Sequence, residues 1–192
     1  MTRPVLTSAL LAALCACAKT EAPAPAPPPA APAARDVVLF LGDSLTAGYG
    51  VAQEEAYPAL LESRWRGEGR ALRARNAGVS GATSAGVLEN LSWSLAPDVS
   101  VAVVCVGGND GLRGLSVAEL EKNLDAIVAK TQAAGVKVVV AGMRMPPNYG
   151  KDYAESFAAL YPRVAAKRGV PLIPFLLDGV AGLKTMNPDL LT

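Results

Sequence analysis

The sequence predicts an α/β fold built on a parallel sheet, and three observations carry that prediction. Apolar runs of strand length recur at Val37 to Leu41, Val99 to Val106 and Val136 to Ala141, without the polar alternation of a sheet that has one wet face. Segments with helical spacing lie between them. Two of the runs stop at glycine, in Gly42-Asp43-Ser44-Leu45 and Gly107-Gly108-Asn109-Asp110-Gly111, so the chain turns sharply at those strand ends.

The first run holds five consecutive apolar residues, two of them β-branched, and reads as a strand buried on both faces. Thr46 to Gly50 then offers a loop or a short helical turn. Tyr57 to Trp65, apolar at 57, 60, 61 and 65, has the spacing of a helix. Ala71 to Arg75 is expected as a short strand running into the small, turn-rich stretch Asn76 to Gly81, after which Thr83 caps a helix to about Trp93. Beyond Val99 to Val106, Ser116 and Glu119 form a capping box for a helix that ends near Ala133, and Gly135 stops it. Val136 to Ala141 is a strand, Met143 to Lys151 a loop and Asp152 to Lys167 a helix. Val170 to Phe175 is a last strand, interrupted by proline.

A chain of 192 residues supports one domain with a substantial core, and its net charge of +1 argues against nucleic acid as a partner. Residues 1–18 read as a secretory signal, with Arg3 as the positive region and Val5 to Leu14 as an apolar segment too short to span a bilayer. The segment ends Leu14-Cys15-Ala16-Cys17, which resembles the lipobox of bacterial lipoproteins. Cys17 fits as the acylated residue better than Cys15, which follows the bulky Leu14; cleavage after Ala18 with soluble release is the competing reading. Glu21 to Ala34 is almost entirely alanine and proline, so residues 19–34 read as an extended tether and the domain is expected over 35–192. Export to a bacterial periplasm or cell envelope follows, with a lipid anchor as the membrane contact. Only Cys105 lies in the domain, within a strand, where it reads as a small hydrophobe; no disulfide framework or metal cluster is available.

Three loops then read together. In a parallel sheet the ends that carry Ser44, Gly81 and Asn109 face the same edge, where α/β proteins bind ligands. A serine hydroxyl, a glycine N–H unobstructed by a side chain and an asparagine amide are the parts required for acyl transfer. Ser44 would attack a carbonyl, and its own N–H, the Gly81 N–H and the Asn109 amide would hold the oxyanion. Asp43 is expected to order its turn by accepting backbone N–H groups, Asp110 to order its loop, and Arg113 to serve as a surface or loop-bracing charge.

These stretches resemble the SGNH branch of the GDSL hydrolases. Gly42-Asp43-Ser44-Leu45, Ser80-Gly81 after Asn76, and Gly107-Gly108-Asn109-Asp110 are similar to three of its four blocks, in the family's order. Through GDSLTAGYG at 42–50, GGNDGLRG at 107–114 and MRMPPNYGKDY at 143–153, the chain looks most like the bacterial thioesterase I, lysophospholipase and arylesterase group, over almost its whole length after the tether. The resemblance implies a flavodoxin-like three-layer α/β/α sandwich. It also implies hydrolysis of small-molecule esters or thioesters through an acyl-enzyme, with no metal or cofactor, and a substrate-facing loop at Pro146, Asn148 and Tyr149. Oligomeric state is not legible, and a monomer is the expectation.

The sequence departs from the family in one respect: it contains no histidine. The family's fourth block, a DxxH pair whose histidine takes the serine proton, is therefore absent, and the resemblance implies a chain cut before that block and before the closing helix. The consequences expected are feeble activity, since a serine hydroxyl is a weak nucleophile without a base, and one sheet face left exposed. A non-catalytic module that binds acyl groups or glycans on the same fold is the alternative. A flavodoxin-like cofactor binder would need a phosphate-cradling loop, and none of the glycine-rich turns has that pattern.

Overall fold

The structure is a computed structural model and describes residues 35–183 and 185–186. Residues 1–34, with the expected signal, tether and Cys17, lie outside the described residues. Among the described residues five strands form one sheet: β1 (Val37–Gly42), β2 (Arg73–Gly78), β3 (Val99–Cys105), β4 (Lys137–Ala141) and β5 (Leu172–Ile173). Their order is β2-β1-β3-β4-β5, and every neighbouring pair is parallel. Helices therefore make every crossover, which is why the central strands carry largely apolar sequence.

Among the described residues six α-helices connect the strands: α1 (Ser44–Ala47), α2 (Tyr57–Gly67), α3 (Ser84–Ser94), α4 (Gly108–Leu112), α5 (Val117–Ala133) and α6 (Lys151–Arg168). The pleat sends alternate residues of β1 to opposite faces. Val37, Leu39 and Leu41 enter a core cluster with Leu91 of α3, Leu124 and Ile127 of α5, and Leu160 of α6. Phe40 points the other way, edge-on to Tyr57 at 5.5 Å and stacked on Trp65 of α2 at 6.3 Å. Helices thus cover the first face, while α2 covers the other over β1 and β2 and leaves it partly open over β3 to β5, in line with the exposed face expected. On the α2 side, Val101, Val103 and Val139 are half-buried and Ile173 is 40% exposed.

Most elements form where the sequence places them, and the differences have local causes. The second strand runs Arg73–Gly78, not Ala71 to Arg75, because its register is set by the whole of β1, from Val37 opposite Arg73 to Gly42 opposite Gly78. Asn76, expected in a turn, is inside this edge strand. Its amide nitrogen donates to Thr46 O at 2.7 Å and its Oδ1 accepts from Gly78 N, so the side chain fastens β2 to α1. The capping box before α5 is half made: Ser116 Oγ accepts from Glu119 N at 3.3 Å, while the Glu119 carboxylate pairs with Lys122. The last strand shrinks to Leu172–Ile173 because Pro171 and Pro174 flank it and neither has an N–H to give the ladder.

Candidate active site

The site edge is assembled by register. Gly42, the last residue of β1, sits between Gly78 at the end of β2 and Cys105 at the end of β3. Ser44, Gly81 and Asn109 follow these three residues by a few positions each, so the loops that carry them leave the sheet side by side. Val79 N donates to Gly42 O at 3.0 Å, carrying the second loop toward the first.

The Ser44 turn is built from its neighbours. Gly42 admits no side chain, since a Cβ there would run into Thr46 Oγ1 and lie 2.8 Å from Cys105 O. Asp43 is buried and caps α1, its Oδ1 accepting from Leu45 N at 3.1 Å, as expected of it. Its other oxygen lies against Gly108, where a Cβ would come within 2.7 Å, so the first and third loops pack on each other at this carboxylate. Burial holds the Asp43 carboxyl above the usual aspartate range. Ser44 is half-buried as the first residue of α1, with its N–H at the orphan end of the helix.

Gly81 has φ +81°, a conformation that glycine adopts without strain. Ala82 N closes a turn on Val79 O at 3.0 Å. Among the described residues, no group accepts a hydrogen bond from the Ser44 or the Gly81 N–H, so two backbone donors are available at this edge. Asn109 belongs to α4, a helical turn where the glycine-rich sequence predicts a loop. Its side-chain nitrogen donates to Ala82 O at 3.0 Å, which leaves its second N–H for a ligand.

Asp110 does more than order its own loop. It is buried and reaches across to the start of α3, accepting from Ser84 N at 2.8 Å and from Ser84 Oγ at 2.6 Å, and Asn123 of α5 donates to the same hydroxyl at 3.1 Å. Ser84 and Asn123 carried no sequence signal, because neither lies in a motif and their pairing spans 39 residues. Arg113, expected as a loop brace, donates to Gly81 O at 3.0 Å. Of the Pro146 to Tyr149 segment, Pro146 and Asn148 are exposed. Tyr149 closes a 3-10 turn and donates through its hydroxyl to Leu112 O at 3.3 Å, which ties this loop to α4.

Beside Gly81 opens a cleft of about 330 Å³, walled by Leu41, Val79, Val87 and Asn90. Cys105 behind the site is fully buried, and burial together with the nearby Asp43 charge pushes its thiol up to about 12, so it is an inert hydrophobe. Among the described residues no group of three or more carboxylate, thiol or imidazole side chains is placed to hold a metal ion.

A five-stranded parallel α/β sandwich with these loops at one edge has the SGNH hydrolase fold, shared with the solved SGNH-hydrolase family esterase AlinE4 at a TM-score of 0.75 and 42% identity, over 80% of this chain and 82% of that one. The chain belongs to the GDSL-like lipase/acylhydrolase family, whose pattern matches residues 40–191. It is 43% identical over 155 residues to an esterase, TesA, of Pseudomonas aeruginosa, covering 80% of this chain and 77% of that protein. It is 40% identical over 149 residues to thioesterase 1/protease 1/lysophospholipase L1 of Escherichia coli, covering 77% and 70% respectively. An arylesterase of Vibrio mimicus is 36% identical over 154 residues, covering 79% and 76%.

Proposed function

We propose that this chain is a serine hydrolase of carboxylic esters and thioesters that works through an acyl-enzyme. The observation that carries the reading is the placement of Ser44 at the end of the central strand, with two unengaged backbone N–H groups and the Asn109 amide on the adjoining loops. Ser44 Oγ attacks the ester carbonyl, and its proton passes to solvent, or to imidazole when that is added, which returns a proton to the departing alcohol or thiol. The carbonyl oxygen takes up negative charge facing the N–H of Ser44, the N–H of Gly81 and the Asn109 amide, and the alcohol or thiol departs to leave a Ser44 ester that water hydrolyses. The names of the relatives support aryl esters, thioesters and lysophospholipids as substrates. The apolar wall of the cleft beside Gly81 suits an acyl chain.

The 192 residues include no histidine, and the buried carboxylates nearest the site are committed: Asp43 to the Leu45 N–H and Asp110 to Ser84. Among the described residues the Ser44 hydroxyl therefore has no base. Its turnover is expected to rest on oxyanion binding, of the order of ~10³–10⁴ over water, as in unrelated serine hydrolases stripped of their triads. Hydrolysis of p-nitrophenyl butyrate by the purified chain, with and without added imidazole, tests this. Slow turnover that imidazole raises and Ser44→Ala abolishes is the expected result. Turnover unchanged in Ser44→Ala would remove Ser44 from the reaction.

The absence of histidine favours a second reading, a binding module for acyl groups or glycans. It predicts saturable binding of a fatty acid or an acetylated sugar that survives Ser44→Ala, with no turnover even in imidazole. For location, acylation at Cys17 and tethering to an envelope membrane is the reading that the amino-terminal sequence supports. The intact mass of the mature protein from its native source decides between the acylated Cys17 terminus and cleavage after Ala18.

A further inference from the structure

The helical turn α4 grips the Gly81 loop at consecutive points. Asn109 and Arg113 stand one turn apart, and they donate to the successive carbonyls Ala82 O and Gly81 O, each at 3.0 Å. Between them Asp110 takes Ser84 N and Ser84 Oγ. Asn109 is placed by its motif and Asp110 is buried, whereas Arg113 is exposed and lies in neither category. Among the described residues no carboxylate comes within ion-pair distance of its guanidinium, although Arg73, Arg75, Arg163 and Arg168 all pair with acids. Its charge is directed at one backbone oxygen.

That oxygen belongs to the peptide unit joining Gly81 to Ala82, whose N–H is in turn held by Val79 O at 3.0 Å. The unit is therefore pinned at both ends. Gly81 populates positive and negative φ with similar ease, so with the unit unpinned nothing covalent keeps Gly81 at φ +81°. We infer that Arg113 is a positioning residue: by holding Gly81 O it fixes the φ +81° conformation that aims the Gly81 N–H at the oxyanion. This rests on the ester-hydrolase reading of the site and adds to it a residue outside the serine, glycine and asparagine set.

The test replaces Arg113 with Ala and with Lys in the full 192-residue chain and follows two readouts. The first is the Gly81 amide, observed by nitrogen-proton NMR for its chemical shift and hydrogen exchange. The second is Ser44-dependent hydrolysis of p-nitrophenyl butyrate in imidazole. Arg113→Ala is expected to shift the Gly81 amide and speed its exchange, and to leave the thermal midpoint close to that of the parent. In the same variant kcat should fall roughly tenfold to a hundredfold with KM little changed, less than the ~10²–10³ lost with a whole oxyanion donor. Free guanidinium ion, or Lys at 113, should restore part of the loss. A Gly81 amide and a kcat both unchanged in Arg113→Ala overturn the proposal, and so does a loss confined to KM. If the parent shows no Ser44-dependent turnover, the ester-hydrolase reading fails, and the NMR arm still decides whether Arg113 sets the Gly81 peptide.

Discussion

At the scale of single residues, this site is shaped more by what is left out than by what is added. Gly42 ends β1 where a methyl group would meet Thr46 Oγ1 and, at 2.8 Å, the backbone oxygen of Cys105. A backbone oxygen cannot swing aside, so Gly42→Ala is expected to cost about 1–3 kcal/mol as overpacking. Urea denaturation should show a lower midpoint at unchanged slope, and an unshifted midpoint would mean that the turn accommodates the methyl. Cys105 gives a second expectation. Buried, with its thiol pushed up to about 12, it should stay unreacted toward Ellman's reagent in the native protein and react once the protein is unfolded. Ser44, Gly81 and Asn109 were legible in the sequence as candidates because each sits at the end of a strand-like run or in a turn with few other uses. The partners that set their neighbours were not, since Ser84 and Asn123 are ordinary helix residues until the fold brings Asp110 to them.

At the scale of elements, α4 is the piece that the sequence concealed. Five residues, Gly108–Leu112, with two glycines among them, have poor helix propensity. What holds the turn is tertiary: Asp110 bonded to Ser84, Asn109 to Ala82, and Tyr149 donating to Leu112 O. Asp110→Asn therefore has a predictable effect. An amide keeps one acceptor where the carboxylate supplied two, and its NH₂ is set against a donor. The loss is expected at about 1–3 kcal/mol, with faster amide exchange at Ser84. Equal stability and equal Ser84 exchange in the variant would show that α4 is held by packing alone. The longer helices, by contrast, announce themselves through their ends. Thr83 Oγ1 accepts from Gly86 N and Ser116 Oγ from Glu119 N, the bonds that their sequence positions foretold.

At the scale of the whole molecule, ion pairs outside the site set the response to acid. Asp36 and Asp98 bind the arginines of β2, and Glu121 and Asp125 of α5 bind Arg163 and Arg168 of α6. Hydrogen bonds from those guanidinium groups hold all four carboxyls below their ordinary values, 3.8 for aspartate and 4.5 for glutamate. A carboxyl depressed in the folded state stabilises above its unfolded value, and that contribution is lost as pH falls through the folded one. Asp43, raised by burial, acts in the opposite sense: its contribution is full below 3.8 and is lost as pH rises through its folded value. Thermal midpoints should therefore fall as pH drops below 4.5 for Glu121 and 3.8 for the three aspartates, with Asp125→Asn flattening that acid limb. Midpoints that track the parent's at every pH would remove the α5–α6 pair from the account. Local sequence is enough for the fold class, the approximate place of the strands and the candidacy of the three loop residues, because burial and sharp turns leave local marks: largely apolar runs, and glycine where they stop. The extent of the edge strand, the existence of α4 and the grip of Arg113 and Asp110 on the Gly81 loop emerge only in the folded molecule. Those features are stabilised by hydrogen bonds between residues 26 to 37 positions apart, and such pairings leave no trace in the local sequence.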